Sequence, residues 1–469
     1  GLAEPGRLAA FTDGLEALRA LIADFAPERV AAATGIEPGD IRGLARDFCG
    51  AGSAVAYGRM GVSTQDHGAL CQWLVNALNI ATGNLDRAGG SMFPTAAVDL
   101  CGLLGPGSYD RFRSSVRGLP EFGGELPVAT LAEEILEAGE DRIRGLVTIA
   151  GNPVLSTPNG RQLDEALGAL EFMLSIDLYV NETTRHADII LPPTAALEHD
   201  HYDIVFNQLA IRNTAKYSPA LFEPASDSRH DWQIYLALAR RLQGGSLARR
   251  LRARLTYWYL ERLEPTGLLA KLLRKGPYAE HLDLAALEAA PHGIDLGPLR
   301  PALPDRLHTR ERRIELVPSL YAEALTALAP ALRGDEDAGS GAMRLIGRRD
   351  VRSNNSWMHN YRRLVKGKER CTLLIHPEDA RRLGLAEGDR ARVTSRVGAV
   401  EAAVEVSDEV MPGVASLPHG WGHDRPGIRL RVASERPGTS INDLTDHERV
   451  DRISGNAAFS GLPVDIAPA

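Results

Sequence analysis

Four loops in this sequence set glycine beside amide, hydroxyl or guanidinium groups in a way that suits a phosphorylated ligand. Gly58-x-x-Gly61 and Gly83-Asn84 let backbone amides approach a diphosphate, because glycine puts no side chain in the way. Read alone, each pair is equally a turn. Gly151-Asn152-Pro153 follows an apolar run, so Asn152 would offer an amide at the carboxyl end of a strand, where open α/β sheets collect ligands. Asp177, after the next apolar run, has the chemistry to accept hydrogen bonds from a ribose diol or a guanine edge; an N-cap or turn aspartate is the plain alternative. The fourth loop, RRDVRSNNS over 348–356, supplies phosphate and amide contacts through Arg, Ser and Asn, or else is a polar surface loop.

Other chemistry is fainter. Cys49, Cys71, Cys101 and Cys371 form no C-x-x-C clip, so neither an iron–sulfur cluster nor a structural zinc site is readable locally, and reduced, buried thiols are expected. His199 and His201, in EHDH, are the only tight histidine pair; a polar loop is favoured there over a metal site.

The elements that would position these loops follow from periodicity. The chain has 469 residues, 44% apolar and 24% charged, which suits about three globular domains and excludes wholesale disorder. No apolar run is long enough to span a bilayer. A net charge of −8 argues against non-specific nucleic-acid binding. Helical periodicity over 10–48 includes a helix over 38–48 that Asp40 would cap, followed by a buried strand over 53–57 and a helix over 68–82. Apolar strands over 145–150, 171–176 and 187–191, with helices over 129–138 and 163–170, predict a doubly wound parallel (Rossmann-like) α/β sheet. Residues 228–275 are helical and Arg-rich, and the stripe Leu247, Leu251, Leu255 is expected to pack on its own domain in preference to a membrane surface. A connector follows around a short strand over 313–317. Short alternating strands, a helix over 377–383 and a hairpin at 396–398 then predict a C-terminal β-barrel. The expected division is an α/β segment over 1–95, an α/β dinucleotide-binding domain over 96–240, a connector over 241–340 and the barrel over 341–469.

Nine ordered motifs carry a resemblance across nearly the whole chain, least well over 100–125 and 240–300. They are YGRMGVSTQ (57–65), LNIATGNLDRAGG (78–90), VTIAGNPVLSTPN (147–159), SIDLYVNETTRHADIILPPTAALE (175–198), HTRERRIEL (308–316), NNSWMHN (354–360), HPEDARRLGLAEGDRARVTSRVG (376–398), PGVASLPHGWGH (412–423) and INDLTD (441–446). Together they resemble the later part of a molybdopterin oxidoreductase large subunit, of the dimethyl sulfoxide reductase and formate dehydrogenase superfamily.

The resemblance implies a molybdenum or tungsten atom held by two pterin guanine dinucleotides (molybdenum bis(molybdopterin guanine dinucleotide)), with a double-psi β-barrel covering part of the pair. By motif, Gly151, Asn152 and Ser156 would meet one dinucleotide, with Asp177 and Thr183 beside its guanosine. Gly61, Gln65, Gly83 and Asn84 would line the pterin or diphosphate, and Arg349, Ser356, His419 and Asn442 would come from the barrel. RMGVSTQ is one residue longer than the family's G-M-G-V-T-Q, which weakens the transfer to Gln65. The family's N-terminal four-iron four-sulfur cysteine motif and its metal-ligating residue have no match here. The chain starts at Gly1 and reads as a fragment or processed chain, expected to be inactive alone. Apolar and Arg-rich surface is expected to stand open beside Gly61, Asn152 and Arg349. No catalytic residue is assigned. Implied partners are a small-molecule substrate and an electron-transfer protein or subunit; the implied compartment is the cytoplasm, with export of the parent left open. Two other readings stand beside the enzyme: a non-catalytic scaffold like the complex I large subunit, and a non-redox hydratase. The intact GNP, ET…ADIILP and NDLT motifs favour the enzyme.

Overall fold

The computed structural model describes residues 2–105, 107–330 and 342–469. Positions 331–341, the end of the expected connector and the first residue of the expected barrel, lie outside the described residues. The chain divides into two units assembled from several stretches: 1–56, 76–106 and 192–318 form the first, and 57–75, 107–191 and 319–469 the second.

In the first unit, helices Leu15–Leu21, Pro27–Thr34 and Pro38–Gly50 account for the early periodicity. Pro38 opens the last of them, where a missing N–H is harmless, and Asp40 lies in the first turn without capping it. The strand expected over 53–57 does not form. A strand needs a neighbouring strand for its N–H and C=O groups, and here the Asn79 side chain takes that place. Its Oδ1 accepts from the Ala56 N–H at 2.9 Å and its Nδ2 donates to the Ala56 carbonyl at 2.8 Å. The core of this unit gathers Ala97, Val98, Ala215, Tyr217, Leu269, Leu273, Leu282 and Leu287. Asp86, fully buried, ties three stretches together: it accepts from the Ala302 and Leu303 N–H groups and from Arg7.

The Arg-rich region forms helices Asp231–Leu242 and Leu247–Leu273, the second broken at Glu264 (φ 56°) ahead of Pro265. The leucine stripe does not pack as expected. Leu247, Leu251 and Leu255 stand 77%, 57% and 61% exposed, and the opposite face (Ala253, Tyr257, Leu260, Leu263) is the one half-buried.

The second unit holds the parallel sheet. Strands β1 (Gly145–Ile149), β2 (Phe172–Ile176) and β3 (Ile189–Ile190) lie side by side in that order, all parallel. Helices α1 (Leu131–Leu136) and α2 (Gly160–Gly168) share a core with this sheet through Ile135, Leu163, Leu167 and Met173. Asn159, in the left-handed region, caps α2 by accepting from the Gln162 N–H.

The closed six-stranded barrel follows: β4 (Met343–Arg348), β5 (Thr372–Ile375), β6 (Arg390–Thr394), β7 (Ala399–Val406), β8 (Val414–Pro418) and β9 (Leu462–Pro468). Around the barrel the order is β4-β8-β5-β7-β6-β9, with β9 pairing back to β4. β4 runs parallel to β8 and β5 to β7; the other pairs are antiparallel. Helix α3 (Pro377–Leu383) and the turn between β6 and β7, closed by the Ser395 N–H on the Gly398 carbonyl, stand where expected. Leu345, Leu373, Ile375, Val393 and Leu417, each fully buried, fill the interior.

Candidate functional site

Parallel neighbours send their following loops out at one edge of the sheet. Ile149 pairs with Ile176, so the loop carrying Gly151 and Asn152 and the loop carrying Asp177 emerge together. Asn152 is buried, and its side chain is engaged inward. Nδ2 donates to Glu182 Oε2 at 2.7 Å, and Oδ1 accepts from the Thr183 hydroxyl at 2.8 Å. Thr183 Oγ in turn accepts from the Val154 N–H at 3.1 Å. Asn152 and Thr183 thus act as anchors, and what the loop presents outward is half-buried Gly151 and exposed Ser156. Asp177 accepts from the Leu178 and Tyr179 N–H groups at 2.6 and 3.3 Å and from Asn181 Nδ2 at 3.2 Å. Burial pushes its carboxyl up from the usual range, more than those donors pull it down.

The barrel contributes from the other side of the same unit. Asn442, buried, donates from Nδ2 to the Leu155 carbonyl at 2.7 Å and so grips the short helix Pro153–Ser156. Arg349 is exposed and donates to Asn355 Oδ1. The His419 N–H donates to the Arg348 carbonyl at 3.0 Å, while burial, and then the charge of Arg349, pull its imidazole down to about 4. Gly420 (φ 94°) explains the glycine of PHGWGH: a Cβ there would lie 2.0 Å from the Asn355 carbonyl, which packs the loop directly on the chain leading to Ser356.

Gly61 and Gln65 lie in this unit but are joined to each other, Gln65 Nε2 donating to the Gly61 carbonyl at 2.8 Å. Gly83 and Asn84 belong to the first unit, where the Asn84 amide donates to Thr82 Oγ at 3.0 Å. Exposed apolar side chains flank all three positions where open surface is expected. Met60 stands beside Gly61, Ile149 before the Asn152 loop, and Val351 and Trp357 beyond Arg349.

The loops from sheet and barrel are joined by residues that sequence reasoning passed over. Glu182 Oε1 meets His423 Nδ1 at 2.7 Å, His423 Nε2 meets His359 Nδ1 at 2.8 Å, and His359 Nε2 meets Ser353 Oγ at 2.7 Å. All four are buried. His359 also stacks on Trp421 with ring centres 4.0 Å apart. The signal was present in the sequence: three of the quoted motifs each contain a carboxylate or imidazole with no assigned role. A second joint is charged. Asp164 on α2 accepts from Arg185, from His186 at 2.6 Å and from Arg425 at 2.9 Å, and Arg425 also reaches Asp443 at 2.8 Å. Burial would raise the Asp164 carboxyl, but His186, Arg425 and Arg185 together hold it below its usual range.

Among the described residues no group of three or more His, Cys, Asp or Glu side chains is placed to hold a metal ion. His199 Nδ1 lies 3.0 Å from the neighbouring Asp200 carbonyl, in keeping with a polar loop. All four cysteines are free, but only Cys371 is buried as expected, Cys49 and Cys71 being half-buried and Cys101 exposed; burial pushes the Cys371 thiol up to about 12. No helix among the described residues is long and apolar enough to cross a membrane.

Comparison with known proteins places these loops in context. Residues 47–241 match the family model described as molybdopterin oxidoreductase, and residues 343–463 match the molydopterin dinucleotide binding domain. The F420-dependent formate dehydrogenase subunit alpha of Methanocaldococcus jannaschii is 23% identical, over 90% of this chain and 62% of its own length. The nitrate reductase of Symbiobacterium thermophilum is 27% identical, over 88% of this chain and 58% of its own. The chain therefore spans about three fifths of these relatives. Among solved structures, acetylene hydratase from Pelobacter acetylenicus superposes with a TM-score of 0.74 at 16% identity, over 100% of this chain and 68% of that one, a likeness of fold.

Proposed function

Because the chain belongs to the molybdopterin oxidoreductase family and carries its dinucleotide-binding domain, we propose that it forms part of the cradle for a molybdenum or tungsten bis(molybdopterin guanine dinucleotide). The single observation that carries this is the convergence of the Gly151–Ser156 loop, Asp177 and the Arg349–Ser356–His419 side of the barrel within one unit. The donor set fits such a group. Arg349 and the Ser156 and Ser356 hydroxyls suit phosphate oxygens, and the Asp177 carboxylate suits a guanine edge or ribose diol. Trp421 Nε1, buried without a hydrogen-bond partner on the same loop as Gly420, is a further orphan donor of the kind that a bound ligand satisfies.

When bound, the metal centre supplies two-electron redox chemistry, including oxygen-atom transfer, to a small substrate. This chain's residues bind and orient. Arg349 neutralises diphosphate charge, with His419 beside it kept neutral by burial. Asp177 selects the base or sugar, and Asn152, Thr183 and Asn442 hold the loop that carries Gly151 and Ser156. The whole protein would work as an oxidoreductase in the cytoplasm with an electron-transfer partner, its four-iron four-sulfur cluster supplied from outside these residues. The test is metal analysis plus acid release of guanine nucleotide from the purified native protein. Stoichiometric molybdenum or tungsten with guanine nucleotide is expected, and Asp177→Ala is expected to lower the nucleotide content. A native protein with neither metal nor nucleotide would refute the enzyme and favour the scaffold reading.

A further inference from the structure

The leucine face expected to pack inward stands in solvent, on a regular helical stretch that runs over 247–263 before the break at Glu264. At 3.6 residues per turn, Leu247, Leu251, Leu255 and Trp258 fall within about 80° of arc, on a stretch roughly 25 Å long. Trp258, 53% exposed, extends the leucines into a continuous apolar ridge. The helix beneath the ridge is anchored. Ser246 Oγ accepts from the Arg249 N–H at 3.3 Å, and the Tyr257 hydroxyl, on the half-buried face, accepts from Gln243 Nε2 at 2.7 Å, next to helix Asp231–Leu242.

The charge beside the ridge has one sign. Arg250 and Arg254 border it on one side and Arg252 on the other. All three are exposed, and among the described residues none of them forms an ion pair. The stretch holds five arginines against one carboxylate, Glu261, which Arg240 meets at 3.8 Å. Arg262 lies over the Trp258 ring at 4.9 Å and Lys271 over the Tyr259 ring at 4.6 Å, so cations also crown the aromatic end. This basic strip belongs to a chain whose net charge is −8.

We propose that the ridge docks on an anionic phospholipid surface. The helix lies in the plane of the interface, with Leu247, Leu251, Leu255 and Trp258 dipping among the acyl chains and Arg250, Arg252 and Arg254 reaching lipid phosphates. Lipid fits better than protein because apolar and basic groups lie side by side on one face. A protein groove that received the ridge would bury arginines on both flanks and would need a carboxylate matched to each. A bilayer supplies phosphates along any register, and arginine stems lie along apolar surface while their heads stay wet. The ridge shares no residue with the candidate cofactor loops, and its docking does not depend on the function proposed above.

The experiment is flotation of the purified native protein with two kinds of vesicle, one of equal parts phosphatidylglycerol and phosphatidylcholine and one of phosphatidylcholine alone. Each arginine near an anionic surface contributes about fivefold, so the three should favour the anionic vesicles about 100-fold, and Arg250→Gln/Arg252→Gln/Arg254→Gln should abolish the preference. Binding should also weaken as salt shortens the Debye length from ~10 Å at 0.1 M to ~3 Å at 1 M. Leu251→Ala/Leu255→Ala keeps every charge and should bind the anionic vesicles at least about 10-fold more weakly. Vesicles should shift tryptophan emission to the blue in the native protein and not in Trp258→Phe, which reads the ridge directly. Absence of flotation, equal affinity for the two vesicles, undiminished binding in the leucine variant, or a blue shift that survives Trp258→Phe would each overturn the proposal. A native protein that ignores both vesicles and self-associates, with the association lost in Leu251→Asp, would overturn it in favour of a second copy of this chain.

Discussion

Replacing Asp164 with Asn keeps the shape of the side chain and removes the charge on which two guanidinium groups and an imidazole converge. Arg185, His186 and Arg425 all donate to this carboxylate, and both arginine side chains are under 20% exposed. Cutting one partner from a fully buried pair costs about 3–5 kcal/mol. Here the loss is smaller, because Arg425 keeps Asp443 at 2.8 Å and Arg185 keeps the Pro426 carbonyl at 3.0 Å. We expect a destabilisation of about 2–4 kcal/mol, between one charge-assisted bond and a lost buried pair. With a urea dependence near ~3 kcal/mol per molar, the midpoint should fall by about 1 M. The assay is urea unfolding of the native protein and Asp164→Asn, followed by tryptophan fluorescence, since Trp357 and Trp421 lie in the same unit. The sign of the pH dependence is fixed. The folded carboxyl titrates below its unfolded value, so its contribution is present above the ordinary aspartate range and is lost as pH falls through the folded value. The gap between wild type and Asp164→Asn should therefore close in acid. A midpoint shift under about 0.2 M at pH 7, or a gap that widens as the pH falls, would refute the reasoning.

Three further outcomes follow from the geometry. His359 and His419 are pulled down to about 3 and about 4, so the unfolded chain should bind protons near pH 6.5 that the folded unit does not. Stability should fall as pH drops from that point, and histidine NMR should find both rings neutral at pH 5.5. Gly420→Ala forces a Cβ to 2.0 Å from the Asn355 carbonyl at a φ of 94° and should cost at least about 2 kcal/mol, read by urea unfolding. Leu345→Ala, at a fully buried barrel position, should cost about 2–5 kcal/mol, whereas Leu251→Ala on the exposed stripe should change stability by no more than about 0.5 kcal/mol.

What the sequence made legible is local. Helix α3 and the β6–β7 turn depend on neighbours a few residues away, and both stand where proline, glycine and alternation place them. Strands β4 and β9 were not legible. Met343–Arg348 runs into a loop rich in Arg and Asn, and Leu462–Pro468 contains two prolines, yet each finds partners more than fifty residues away in sequence. The apolar run at 53–57 fails for the opposite reason: it has a strand's composition but no partner strand. Among the site candidates, Asn152 and Asp177 stood out because each follows an apolar strand run, and Ser156 through the motif alone. The buried contacts among Glu182, His423, His359 and Ser353 were not legible, because three of these residues stand in quoted motifs but no spacing rule connects them. Only the fold makes them neighbours.

The barrel's closing pattern sets a schedule for synthesis. β9 pairs with both β4 and β6, and it is the last of the six strands to leave the ribosome. The parallel sheet, complete at Ile190, emerges roughly 270 residues earlier, which at ~5–20 residues per second is on the order of half a minute. Through that interval the loop at Asn152 exists without His423 and Asn442, the barrel residues that later tie it down. A nascent chain stalled before Leu462 should present the sheet folded and the barrel unclosed, as limited proteolysis would show. A ligand enclosed by both sheet and barrel would thus meet its complete site only after β9 has been made.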